Sequence, residues 1–184
     1  MDVVTKKYSE EHKIVISEAE LQLRIAQLGD QISRDFQGRA VHCICVLENG
    51  LLFVADLIRK ITCDIRCQFV KPQVIQRKIG NRMMEEILYT PDVNVEGQHV
   101  LLCEGILSTG YTTDFLYRSF QARGAASVSL CTLLNCEHDR RVELAITYIG
   151  FQVEPQWLAG FGLGSPTLNR NIPYIFAFPK TEQE

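Results

Sequence analysis

Apolar residues along this chain fall into runs of two kinds, and the two kinds alternate. Val41 to Leu47, with its β-branched residues, has the length of a strand buried on both faces, and Val100 to Cys103 and Ser127 to Leu134 are further strand-like apolar runs. Between them the apolar residues recur three or four apart. Leu21, Ile25, Leu28 and Ile32 form one helical stripe, Phe53, Val54, Leu57 and Ile58 a second, and the segment from Thr113 to Arg123 carries a third. Ser17 with Glu20 three residues on is a capping-box pattern, so the first helix starts there, and Gly38 stops it. Lys13 to Ile16, Asp64 to Val70, Ile146 to Phe151 and Tyr174 to Phe178 read as further strands. Strand, loop and helix in repeated succession predict an α/β domain: a mainly parallel central sheet flanked by helices on both faces. The first dozen residues are polar and predicted to be loose. Lys71 to Glu86, rich in Lys, Arg, Gln and Met without firm periodicity, predicts a flexible loop over about 71–90.

Composition narrows the function classes. With 184 residues, 46% of them hydrophobic, the chain fits one domain over 1–184 with a sizeable core. A net charge of −3 gives no basic field for nucleic acid, and no segment is long or apolar enough for a signal peptide or membrane span. Seven cysteines are an odd number, and Cys43, Cys45, Cys67, Cys103 and Cys131 lie in or beside the strand-like runs, where Cys acts as a small hydrophobe. A reducing, cytoplasmic setting is expected. Neither Cys43-x-Cys45 nor Cys63-x-x-x-Cys67 has a second pair at zinc-ribbon spacing, and the adjacent Cys136, Glu137 and His138 cannot easily face one ion, so no metal site is expected. The basic residues Lys71, Arg77, Lys78 and Arg82 read as a solvated charged loop in preference to an anion site.

One junction carries candidate chemistry. The run Val100 to Cys103 ends in Glu104 and passes through Ser108-Thr109-Gly110 into the helical segment. A strand–turn–helix junction of small residues presents free backbone N–H groups and a helix N-terminus to one small volume, and its hydroxyls add donors, which suits a phosphate. Taken alone, the turn reads equally well as a plain connection.

The flanking residues resemble the hypoxanthine-guanine branch of the type I phosphoribosyltransferases, whose motif runs E-D-(I/V)-(I/V)-D-(T/S)-G-x-T; this chain has E-G-I-L-S-T-G-Y-T from Glu104 to Thr112. The resemblance implies phosphate binding by Ser108, Thr109, Gly110, Tyr111 and Thr112. Gly105 stands where the family holds ribose with an aspartate, and Ser108 where it places an aspartate as general base. Upstream, V-L-E-N-G-L-L-F-V-A-D-L is similar to the family's pyrophosphate loop, which usually contains a cis peptide, but Glu48-Asn49 replaces its basic residue and glycine, turning attraction for pyrophosphate into repulsion. Val74-Ile75 stands where the lid carries a Ser-Tyr pair. Cys136 replaces the lysine that donates to the purine's exocyclic oxygen, while Arg140 matches a family arginine. In the hood motif Trp157 stands at the base-stacking position, with core packing as its other reading. Leu158 stands where the backbone reads the purine edge, Gly164 replaces an aspartate, and Arg170 matches the arginine that reaches pyrophosphate.

The resemblance spans Val15 to Phe178 and implies a type I phosphoribosyltransferase-like fold with a small hood from about 1–16 and 150–175. Two functions follow from it. One is a purine-salvage enzyme that transfers phosphoribosyl from phosphoribosyl pyrophosphate to a purine base with Mg²⁺. The other is a degenerate member that binds a purine nucleotide or a protein partner without turnover, and the departures at Glu48, Gly105, Ser108, Cys136 and Gly164 favour it, since none of the catalytic positions, Glu104 included, stands in an intact motif. The resemblance also implies a homodimer or homotetramer, or pairing with an active paralogue. Leu51, Leu52, Val54 and Leu57 give the second helix more apolar faces than one core needs.

Overall fold

The computed structural model describes residues 12–79, 82–88, 93–164 and 168–178. In chain order the elements are β1 (Lys13–Ile16), α1 (Glu18–Asp35), β2 (Val41–Val46), α2 (Leu51–Leu57), β3 (Ile65–Val70), β4 (Gln73–Ile79), β5 (Arg82–Leu88) and β6 (His99–Leu107). Then come α3 (Tyr111–Ala122), β7 (Ser127–Asn135), β8 (Tyr148–Gln152), β9 (Leu158–Ala159) and β10 (Ile175–Ala177), with short 3-10 turns at Ile58–Lys60 and Glu137–Asp139. Five strands form the central sheet in the order β3-β2-β6-β7-β8, every neighbouring pair parallel. Parallel order requires crossovers, and the helices supply them while covering both faces.

The helix stripes pack as the spacing predicts. Leu21, Ile25, Leu28 and Ile32 of α1 and Phe53, Val54 and Leu57 of α2 are buried with Cys43, Cys45, Leu101 and Cys103 on one face. Leu116 and Phe120 of α3 are buried with Ile44, Val100, Leu102 and Leu130 on the other. Helix α1 opens on its capping box, the Glu20 N–H donating to Ser17 Oγ and the Ser17 N–H to Glu20 Oε2. Its Arg24 donates to the carbonyls of Ile149 and Gly150, occupying acceptors on β8, the edge strand. All seven cysteines are free thiols. In the sheet register Cys43 faces Cys67, and Cys103 faces both Cys45 and Cys131, with Cys43 Sγ 3.7 Å from Cys103 Sγ.

A separate antiparallel sheet, β1-β10-β9, forms the hood. Its boundaries differ from the expected 150–175: residues 150–152 belong to β8, where Phe151 and Gln152 pair with Leu134 and Asn135, and the last strand joins the hood beside β1. Segment 71–90, expected to be irregular, contains β4 and β5 paired as an antiparallel ribbon, with Gln73 opposite Leu88 and Ile79 opposite Arg82. The polar residues before His12 lie outside the described residues, as do the side chains of Val74, Ile75, Arg77, Lys78 and Arg82. Among the described residues no helix is long and apolar enough to cross a membrane.

Candidate functional site

The carboxyl ends of β2, β6 and β7 meet the hood, and the residues singled out in the sequence gather there. Strand β6 ends at Leu107, Ser108 to Gly110 make the turn, and α3 begins at Tyr111. Gly110 sits at φ +84°, and a Cβ there would fall 2.9 Å from Val142 Cγ2 and 3.1 Å from Arg140 Cδ, so the turn needs glycine both for its backbone and for close packing. The Arg141 N–H donates to the Thr109 carbonyl and the Asp114 N–H to the Gly110 carbonyl. A helix start leaves the N–H groups of its first turn without intrahelical acceptors, and in α3 these belong to Tyr111, Thr112 and Thr113. Below the turn, Thr113 Oγ1 donates to Glu104 Oε1. Burial pushes the Glu104 carboxyl up to about 7, against the pull of the Thr113 hydrogen bond and the Arg140 charge.

The turn after β2 lies across from this junction, and its Leu47–Glu48 peptide is cis. The charge reversal at Glu48, read from sequence as repulsive, is matched within the fold. Lys71 Nζ lies 2.6 Å from Glu48 Oε1 and Arg170 Nη2 3.2 Å from Oε2. The Lys71 hydrogen bond and charge, followed by the Arg170 charge, hold the Glu48 carboxyl below its ordinary range. Arg170 Nη1 also donates to Asn49 Oδ1 and to the Gly162 carbonyl, at 3.0 and 2.6 Å, tying this turn to the hood. A Cβ on Gly105 would fall 2.2 Å from the Asn49 carbonyl oxygen, so any side chain at that position competes with the backbone of the turn.

At the end of β7 the loop folds back on β6. Ser108 Oγ donates to Asp139 Oδ2 at 3.1 Å, and Cys136 Sγ donates to the same oxygen at 3.4 Å. Burial, then the hydrogen bond and charge of Asp139, push the Cys136 thiol up. Arg140 Nη2 donates to Asn135 Oδ1 and to the Leu107 carbonyl, Asn135 Nδ2 donates to Gln152 Oε1, and Arg140 Nε and Nη1 are buried without a hydrogen-bond partner. Trp157 is 75% exposed, which removes the core-packing reading, whereas Leu158 is buried and pairs in register with Ala177. Gly164 is held at φ +130°.

The sequence singles out Glu48, Glu104 to Thr112, Cys136 and Arg170; in the structure Ser108 and Cys136 share Asp139, Glu48 pairs with Arg170, and the Asn49 turn abuts Gly105. Sequence reasoning missed Asp139, the Lys71 and Arg170 partners of Glu48, and Thr113 under Glu104. Among the described residues no three His, Cys, Asp or Glu side chains converge, Gly105 and Gly164 offer no carboxylate, and Glu104 is the carboxylate on the β6 side that could meet a magnesium ion brought with substrate phosphates.

An open parallel sheet with its strand–turn–helix junction at the carboxyl edge and a separate antiparallel hood defines the type I phosphoribosyltransferase-like class of α/β proteins. Residues 16–165 match the phosphoribosyl transferase domain. The chain is 30% identical over 165 residues to a hypoxanthine phosphoribosyltransferase of Haemophilus influenzae, covering 88% of this chain and 92% of that one. It is 31% identical over 163 residues to a hypoxanthine-guanine phosphoribosyltransferase of Bacillus subtilis, covering 89% and 91%. The crystal structure of a hypoxanthine-guanine phosphoribosyltransferase of Bacillus anthracis superposes with a TM-score of 0.78 at 33% identity, covering 91% of this chain and 98% of that one. The chain belongs to the phosphoribosyl transferase family.

Proposed function

We propose that this protein is a purine phosphoribosyltransferase of the salvage type, taking a purine base and phosphoribosyl pyrophosphate at the carboxyl edge of its sheet. The observation that carries this reading is the junction from Glu104 to Thr113, where the free N–H groups of a helix start, the hydroxyls of Ser108, Thr109 and Thr112 and the Glu104 carboxyl lie on one strand–turn–helix connection. Ser108 to Thr112 hold the 5′-phosphate, Trp157 covers the base, and Lys71 and Arg170 meet the pyrophosphate once the Glu48 carboxylate gives way. A magnesium ion, were it bound with phosphoribosyl pyrophosphate, would supply positive charge to the departing pyrophosphate beside Lys71 and Arg170. The free thiols fit a reducing, cytoplasmic setting. Exposed Leu51 on α2 and Phe69 on edge strand β3 fit a homodimer.

A second reading, nucleotide binding without turnover, is favoured by two observations: the chain's own Glu48 is paired with Arg170, and the Asn49 carbonyl fills the space beside Gly105. A radiolabelled-purine assay with phosphoribosyl pyrophosphate and Mg²⁺, run with hypoxanthine, guanine and adenine beside calorimetry with the monophosphates, separates the two. Nucleotide formation at about 1 s⁻¹ or faster is the expected result for the enzyme. Binding without product assigns the second reading, and absence of both overturns the purine site.

A further inference from the structure

The amino ends of β2, β3 and β6 border a cleft of about 680 Å³, on the opposite edge of the sheet from the strand–turn–helix junction. His42 near one end of β2 and Glu48 just past the other lie roughly 20 Å apart at the rise of a strand. The volume is that of a small-molecule pocket. Its polar lining is Arg39, His42, Asp64, Arg66, Gln98 and His99. Arg39 lies with its guanidinium over the Phe36 ring and spends Nη2 on the Asp35 carbonyl, which leaves its other N–H groups. Arg66 stands opposite His42 in the β2–β3 register, is exposed, and makes no ion pair or hydrogen bond among the described residues.

His42 is 2% exposed, and neither of its ring nitrogens has a hydrogen-bond partner among the described residues. Burial, opposed by the Gln68 side chain and joined by the Arg66 charge, holds the ring below its ordinary range, so it is neutral at pH 7. Buried polar groups in folded proteins are paired, and an unpaired one in the wall of a cleft points to a partner that the chain does not supply. Two guanidinium groups outweigh the one carboxylate of the lining, so that partner is an anion. A monocarboxylate fills a single guanidinium fork. A phosphate group carries close to two negative charges at pH 7 and three acceptor oxygens, enough for both arginines and a ring N–H. On a phosphate ester, hydroxyls would give Asp64 its donors.

We propose that this cleft is a second phosphate site, in which Arg39 and Arg66 hold a free phosphate, or that of a small hydroxyl-bearing ester, beside the His42 ring. It stands whether or not the carboxyl edge takes a purine.

The chain has four histidines, so the His42 ring signals can be followed by NMR in the full protein and assigned by elimination with His12→Asn, His99→Asn and His138→Asn. Inorganic phosphate and ribose 5-phosphate are the probes, with sodium chloride at matched ionic strength as the control. A saturable shift of the His42 signals is expected at millimolar probe, with the ring titrating at higher pH because negative charge favours the imidazolium. Arg66→Ser, at an exposed position, is expected to weaken that binding at least about fivefold with the unfolding temperature unchanged. Tighter binding of ribose 5-phosphate assigns the ester, and equal or weaker binding assigns the free ion. A shift that chloride reproduces, or no saturable shift with either probe, overturns the site. Undiminished affinity in Arg66→Ser means that the signal is relayed from the carboxyl edge, and overturns it too.

Discussion

Glu48 and Arg170 are 122 positions apart in the chain and 3.2 Å apart in the fold. The pair joins the turn after β2 to the segment that follows the hood motif, and it sets a carboxylate of the chain itself between Arg170 and Lys71. An incoming anion competes with that carboxylate for both cations.

Replacing Glu48 by Lys frees Arg170 and adds a third positive charge. Inorganic pyrophosphate is then expected to bind at least about tenfold tighter, since a hydrogen bond to a charged group contributes roughly 1.5–3 kcal/mol. Calorimetry at two salt concentrations checks it, with the gain shrinking at high salt. Unchanged affinity would mean that Glu48 does not guard the cations.

The Glu104 carboxyl titrates near 7 in the fold against about 4.5 when unfolded. Between these values the native state holds the extra proton, so this group makes stability fall as pH rises from about 4.5 to 7, by about 3 kcal/mol in all. Urea unfolding of Glu104→Gln beside the wild type reads the effect. The variant, whose amide does not titrate, gains relative to the wild type across that window, and a gap independent of pH would contradict the assignment.

Gly105→Ala is expected to cost about 1–3 kcal/mol, because its Cβ would overlap the Asn49 carbonyl oxygen. Denaturant midpoints measure it. Gly105→Asp with Ser108→Asp meets the same overlap, so restoring both motif acids displaces the β2 turn and does not raise turnover.

Trp157 is the only tryptophan and lies in solvent, so its emission reports the hood directly. Purine monophosphates should quench it. Trp157→Ala should weaken nucleotide binding by about tenfold, given roughly 1–3 kcal/mol for stacking one base, with little change in unfolding temperature. Stability lost without loss of affinity would return the residue to a packing role.

Light scattering at micromolar concentration is expected to give a dimer, and Phe69→Lys to shift it toward monomer, since Phe69 is exposed on an edge strand. A monomeric wild type would sink the homodimer.

The fold was legible because burial writes periodicity into the chain. Strands covered on both faces read as continuous apolar runs, and α1 carries its stripe and capping box in plain order. The β4–β5 ribbon was not legible, because its strands pair only with each other and Lys71 to Glu86 carries no firm alternation of apolar and polar residues. Gly105, Ser108 and Cys136 stood out as departures. What answers them did not, because the Asn49 carbonyl, the Lys71 and Arg170 charges and the Asp139 carboxylate reach the site through tertiary folding and leave no mark of spacing.

The thiols of Cys43, Cys45, Cys103 and Cys131, which lie on neighbouring strands at the middle of the sheet, are buried, while Cys63 and Cys67 are partly exposed. A maleimide or disulfide reagent can therefore modify the outer pair in the native molecule and must wait for the strands to part before it meets the inner four. With Cys136, buried in the loop after β7, replaced by Ser, two labelling rates follow from one sample. The slow one counts opening events of the sheet, so a ligand that binds only the closed form lowers it in proportion to its occupancy, and reagent uptake becomes a binding assay that needs no turnover.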